Sequence, residues 1–329
     1  MRIFPIRAST LLLIVLALLA HGGAQGTQLA PGRHQLYLLH GDRERTYHVL
    51  VPTQAARGAP LPVLLAFHGG GGNPDQFRRQ VGLDELAERE GVVVVYPAGT
   101  GRGQRNLLTW NAGVGCCAYA RDANVDDVGF VLALLTDLSN RLRIDDARIY
   151  ATGHSNGAGM VYRLAAQAPG VLAAIAPVAG ASMGIDRSLA QPIPLLHIHS
   201  VDDPRALYLG GLNLDTGTDT PHEHSPVPNE LAFWVNLNGC GPEPELLELR
   251  STAGAAGDGS NGDPPQLAEQ LAWPCPASTP VVHWRLSGVG HGWPGTTHGI
   301  RPPAGNTTEL ISATDEIWSF LSRFQRADE

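Results

Sequence analysis

The sequence predicts an α/β fold, a mostly parallel eight-stranded sheet with helices on both faces. Three observations predict it. Strand-like apolar runs alternate with helical patterns along the chain, the order in which crossover helices cover a parallel sheet. Several of those runs are continuously apolar rather than alternating, as strands buried on both faces are. The turn Gly153-His154-Ser155-Asn156-Gly157 stands between a strand pattern and a helix pattern.

Strands are expected at residues 34–40, 46–51, 63–67, 92–96, 148–152, 174–178, 195–199 and 281–286. The run Val92-Val93-Val94-Val95-Tyr96 shows the type, being β-branched and aromatic throughout. Helical periodicity falls at 75–90, 127–142, 156–168, 228–237 and 309–324. Asp126 or Asp127 is placed to cap the second of these. Eight strands with a serine turn after the fifth is the α/β-hydrolase layout. Two stretches interrupt the alternation: 206–227, rich in Gly, Thr, Asp and Pro with His222 and His224, and 251–267, rich in Gly, Ala and Ser. Both read as surface insertions in a single catalytic domain over 25–329.

Residues 1–24 read as a secretory signal peptide: Arg2 and Arg7, an apolar run from Leu11 to Ala20, then small residues. That run is too short to anchor the chain in a bilayer, so a secreted or periplasmic protein without membrane insertion is expected. Losing Arg2 and Arg7 takes the formal charge from −8 to −10. An acidic chain argues against nucleic acid as a partner. All 23 Lys-or-Arg positions are arginine, which excludes Schiff-base lysines, Ser–Lys dyads and a P-loop lysine. Four cysteines fit an oxidising compartment. Pairing Cys240 with Cys275 closes a loop worth roughly 3–4 kcal/mol, leaving the adjacent Cys116 and Cys117 bridged or as thiols. Their spacing offers no zinc pattern, and no metal site is expected. Oligomeric state is not legible.

The serine turn carries the chemistry. Flanking glycines would let the backbone turn sharply and lift the Ser155 hydroxyl clear of the sheet edge. A serine nucleophile needs a histidine base, itself oriented by a carboxylate. In this fold the order is serine, acid, histidine, each at a strand's C-terminal end. Asp202-Asp203 follows the seventh strand, and His291 follows the eighth within Gly288-Val289-Gly290-His291-Gly292. Spacing leaves Asp202 and Asp203 open. Of the thirteen histidines, His197 and His199 read as packed strand residues, and His222, His224 and His298 as exposed loop residues. The loop His68-Gly69-Gly70-Gly71-Gly72-Asn73 follows a buried strand and would supply the second oxyanion donor. The donors expected are the N–H groups of Gly70, with Gly71 as fallback, and Asn156. His68, Trp110 and Trp293 are candidates for the substrate cleft, with core packing the alternative for the tryptophans.

Together these segments resemble the secreted polyhydroxybutyrate-depolymerase and feruloyl-esterase group of α/β-hydrolases. The resemblance rests on Gly153–Gly157, Leu108-Thr109-Trp110-Asn111-Ala112-Gly113, Val125-Asp126-Asp127-Val128-Gly129-Phe130, Asn238-Gly239-Cys240 and Gly290-His291-Gly292-Trp293-Pro294-Gly295. It covers about residues 34 to 325. The group's acid segment aligns with His199-Ser200-Val201-Asp202-Asp203-Pro204, which favours Asp203, although Ser200 and Val201 depart from its pattern. The resemblance implies cofactor-free hydrolysis of a small or polymer-borne ester through an acyl-enzyme. Hydroxyalkanoate esters are the first substrate class implied, and feruloyl or acetyl esters of plant cell-wall polysaccharide the alternative. A binding protein on the same scaffold, without catalysis, is the remote one.

Overall fold

The structure, a computed structural model, describes residues 28–103, 107–213, 222–252, 265–296 and 306–327. The expected signal peptide, His298 and the tips of both expected insertions lie outside the described residues. The elements run β1 (Gly32–His40), β2 (Arg43–Val51), β3 (Leu61–Phe67), α1 (Pro74–Val81), α2 (Leu83–Glu90), β4 (Val93–Pro97), α3 (Ala118–Asp122), α4 (Asp127–Ser139), β5 (Ile144–His154) and α5 (Asn156–Gln167). They continue with β6 (Ala174–Val178), β7 (Leu195–Ser200), β8 (Gly211–Asn213), β9 (His222–His224), α6 (Val227–Leu237), β10 (Glu245–Ser251), β11 (Leu267–Ala272), β12 (Val281–Ser287) and α7 (Ala313–Leu321).

The main sheet has ten strands in the order β1-β2-β4-β3-β5-β6-β7-β12-β11-β10. From β4 through β12 the pairs are parallel. β1, β2, β10 and β11 join antiparallel at the two sides. The expected eight strands are β1 to β7 and β12. The two extra strands flank the stretch read as a loop at 251–267. β10 is an edge strand whose Leu246, Leu247 and Leu249 stay exposed, so its sequence carries no buried alternation to read. β8 and β9 pair in a separate small sheet within the 206–227 segment.

Side-chain alternation along the central strands divides the core in two. Val63, Leu65 and Phe67 of β3 face α4, α5 and α6, whereas Leu64 and Ala66 face α1, α2 and α7. The helix expected over 75–90 is broken at Gly82, whose φ of 64° ends α1 and opens α2. That left-handed conformation is open to glycine without a Cβ penalty. The helix expected from 309 begins at Ala313, where the Ser312 hydroxyl accepts the Asp315 N–H. Cys240 and Cys275 are bonded, tying the end of α6 to the approach to β12, and Cys116 is bonded to Cys117.

Candidate active site

Ser155 stands between β5 and α5 with φ 56° and ψ −120°, a sparsely populated conformation for a residue with a side chain. The two flanking glycines serve a different end from the one expected. Neither has a positive φ; each is required by close contact. A Cβ on Gly153 would lie 2.6 Å from the Gly157 carbonyl oxygen, and one on Gly157 would lie 2.6 Å from the His68 carbonyl oxygen and collide with that of Phe67. The turn is thus pressed against the end of β3, and the strain falls on the serine. The backbone holds it there: Ser155 N–H donates to Val178 O at 2.9 Å, and Ser155 O accepts from Ala158 N–H at 2.9 Å.

His291 and Asp203 meet after the last two parallel strands. The His291 Nδ1–Asp203 Oδ2 distance is 2.7 Å, with both residues buried. Since a carboxylate accepts, Nδ1 carries the proton and Nε2 is left as the basic nitrogen. Asp203 Oδ1 accepts the N–H groups of Arg205 and Ala206, each at 2.8 Å. Burial raises the Asp203 carboxyl, but the charge of His291 and hydrogen bonds from His199 and His291 outweigh it and hold it well below the usual range. Asp202 points elsewhere, accepting the Gly288 N–H at 2.7 Å. The His291 ring lies 4.6 Å from that of His154, the residue before Ser155. No hydrogen bond among the described residues joins the Ser155 hydroxyl to His291; such bonds are often open until substrate binds.

The glycine loop after β3 lies over the serine. Cβ positions built on Gly69 and Gly70 would lie 3.4 Å from the Cβ atoms of Ser155 and Asn156 respectively. Gly71 N–H is already given to Leu108 O at 2.8 Å, which removes the fallback donor. Among the described residues Gly70 N–H has no acceptor, and Asn156, as the first residue of α5, has an N–H without an intrahelical acceptor.

A buried polar frame supports this loop and explains the two distinctive motifs. The Asn156 side chain accepts Trp110 N–H at 2.7 Å and donates to Trp110 O at 3.1 Å. Asn111 N–H donates to Asp127 at 2.8 Å, and Asp127 is paired with Arg45 at 2.7 Å. Asp126 caps α4 by accepting Gly129 N–H at 2.9 Å. Of the pair Asp126-Asp127, one residue is a cap and the other an anchor.

The three candidate cleft residues are all buried. Trp110 and Trp293 are buried, the first donating to His68 O at 2.9 Å and the second to Thr314 Oγ1 at 3.0 Å. Their large apolar rings pack edge-on against Phe67 and Phe77. His68 is also buried, with Nδ1 bonded to Gly69 O and Nε2 accepting Gly99 N–H at 3.0 Å. Burial lowers it to about 4, so the ring is a neutral brace. No local pattern in the sequence marks His154, and the strand pattern reads His199 as packing. The structure puts the first against His291 and the second 3.5 Å from Asp203 Oδ2. The spacing of His199 four residues before Asp203 was the available signal.

The comparisons with known proteins agree with this architecture. Residues 45–221 match the family model described as esterase PHB depolymerase. NocK of Nocardia uniformis subsp. tsuyamanensis, assigned as an esterase, is 30% identical over 85% of this chain and 79% of its own length. Feruloyl esterase B of Piromyces equi is 30% identical over 56% of this chain, which spans 34% of that longer protein. The acetyl xylan esterase structure from Aspergillus awamori shares the fold, with a TM-score of 0.51 and 15% identity over 88% of this chain and 99% of its own. On the family match, which takes in the glycine loop, the serine turn and the Asp203 segment, the chain belongs to the esterase PHB depolymerase family and is a carboxylic ester hydrolase.

Proposed function

We propose that the protein cleaves esters through an acyl-enzyme on Ser155, with His291 as base and Asp203 as its orienting acid. The observation that carries this reading is the 2.7 Å Asp203–His291 bond, which leaves Nε2 of His291 as the basic nitrogen. In the proposed mechanism His291 takes the Ser155 proton as the hydroxyl attacks the ester carbonyl. The Gly70 and Asn156 N–H groups receive the oxyanion. His291 then protonates the departing alcohol and activates the water that releases the acid. No step calls on a cofactor.

The substrate class favoured is the hydroxyalkanoate ester, as oligomer or polymer, in keeping with the family. A second reading, feruloyl or acetyl esters on plant cell-wall polysaccharide, draws support from the likeness to feruloyl esterase B over half of this chain. The reading also takes 25–329 as one catalytic domain, released outside the cytoplasm after loss of residues 1–24. The two disulfides suit that compartment.

The test is hydrolysis of a 3-hydroxybutyrate oligomer, methyl ferulate and p-nitrophenyl butyrate by the mature protein, with Ser155→Ala as control. Preference for the oligomer supports the first reading, and preference for the ferulate the second. Activity that survives in Ser155→Ala refutes the proposed nucleophile.

A further inference from the structure

Beneath the candidate acid lies a chain of buried polar side chains that runs from α5 to the Asp203 loop. Tyr162 on α5 bonds His197 Nδ1 at 2.9 Å. His197 Nε2 meets His199 Nδ1 at 3.2 Å. His199 Nε2 bonds Ala206 O at 2.8 Å and stands 3.5 Å from Asp203 Oδ2. All three side chains are buried.

The proton positions in this chain follow from its last member. A carbonyl oxygen can only accept, so His199 carries its proton on Nε2 and accepts at Nδ1. His197 must then donate from Nε2 and accept at Nδ1, which makes the Tyr162 hydroxyl the donor. Every bond therefore points toward Asp203. A second pair braces the middle: His283 Nδ1 donates to His197 O at 3.0 Å, and Tyr208 O–H donates to His283 Nε2 at 3.1 Å. Each imidazole nitrogen has one role, and none is spare.

The end of the chain grips the Asp203 loop twice. Ala206, whose carbonyl His199 holds, gives its own N–H to Asp203 Oδ1. The His199 N–H also faces Oδ2, the oxygen that meets His291. With the opposite tautomer, a lone pair would face both the carbonyl and the carboxylate, and the loop would be pushed away.

We infer that His199 is a positioning residue for the reaction: through Ala206 and Asp203 it fixes the carboxylate that orients His291, and Tyr162 and His197 hold it in the required tautomer. This rests on the proposed Ser155–His291–Asp203 site. Substitution of His199 should thus lower turnover while leaving substrate binding intact, which loss of mere packing would not do selectively.

The test compares His199→Phe, His199→Asn and His199→Gln, with turnover expressed per site titrated by a fluorophosphonate. His199→Phe keeps a ring and loses the donor. It should lower kcat by on the order of 10- to 100-fold, the range for a small misplacement in an active site, with KM little changed. The downfield proton resonance of the His291–Asp203 bond should weaken in parallel. His199→Gln, whose amide reaches the Nε2 position, should recover most of the lost turnover, whereas the shorter His199→Asn should not. Parent-like kcat per titrated site in His199→Phe overturns the inference. If that variant does not fold, equal kcat in the Gln and Asn variants overturns it. Ser155→Ala and Asp203→Asn are run alongside with turnover expressed per mole of folded protein: parent-like turnover in either removes the active-site reading itself and the role of His199 with it.

Discussion

Asn156 and Trp110 hold each other in both directions: the Asn156 amide accepts the Trp110 N–H at 2.7 Å and donates to the Trp110 carbonyl at 3.1 Å. The residue whose backbone faces the proposed oxyanion thus spends its side chain on the frame beneath. Asn156→Leu would leave the Trp110 N–H buried without a partner, while the Trp110 carbonyl keeps the Ala112 N–H at 3.0 Å. At about 1–3 kcal/mol for one unsatisfied buried group, a loss of about 1–3 kcal/mol is expected in urea unfolding. Asn156→Asp keeps the acceptor, loses the donor and sets a carboxylate near the developing oxyanion. Its kcat should fall on the order of 10²-fold or more, comparable to loss of one oxyanion donor.

The neighbours Asp202 and Asp203 offer a controlled pair. Both accept backbone N–H groups, but Asp203 alone of the two also meets His291. Asp203→Asn should reduce kcat on the order of 10⁴-fold, because a neutral amide no longer selects the imidazole tautomer or stabilises its charge. Asp202→Asn, at an exposed position, should change stability by about 0.5 kcal/mol or less and leave the rate close to the parent's. Steady-state kinetics on the two purified variants checks the contrast, and equal losses would contradict it.

Ser155 occupies a left-handed conformation with a side chain in place, and backbone strain of this kind costs on the order of 1–3 kcal/mol. Glycine there should relieve it, less the roughly 0.5–1 kcal/mol of chain entropy that glycine loses on folding. Ser155→Gly is therefore expected to be inactive yet about 1 kcal/mol more stable than Ser155→Ala. Thermal unfolding of the two variants decides it. A Ser155→Gly protein no more stable than Ser155→Ala would show that the turn is not strained.

What the sequence revealed and concealed follows from the range of each interaction. Continuous apolar runs mark strands buried on both faces, so β3, β4, β6 and β7 could be read within a residue or two of their ends. The serine turn and the glycine loop are local patterns and were equally plain. Gly82 gives no local sign that it will break a helix rather than sit within one. β10, exposed along the sheet edge, lacks the alternation that burial imposes. The burial of Trp110 and Trp293 depends on partners far along the chain, Asn156 and His68 for the first and Phe77 and Thr314 for the second. The role of His199 turns on Ala206 O, seven residues on, and on His197, which Tyr162 reaches only once α5 is packed on the sheet.

Acid should unfold this protein well before it protonates Asp203. His68, His154, His197 and His283 are buried, and burial lowers all four: His68 to about 4, His283 to about 3, and the other two well below the ordinary value of 6.5. In the unfolded chain each titrates near 6.5. Below that pH the unfolded state binds protons that the folded state refuses, so stability is full above about pH 6.5 and falls as the pH drops. For His68 the fall runs from about 6.5 to about 4 and amounts to roughly 3 kcal/mol. Asp203 adds its share only below the unfolded carboxyl value of about 3.9. Asp127 works in the opposite sense, because burial raises its carboxyl against the pull of Arg45, but it is one group against four. Calorimetry from pH 7.5 down to about pH 4.5 should therefore show Tm falling from near pH 6.5 onward, where the imidazoles begin to titrate. His283→Gln should flatten that slope even though it starts from a less stable protein. A Tm constant over the whole interval would mean that these imidazoles are charged, or hydrated, in the folded state.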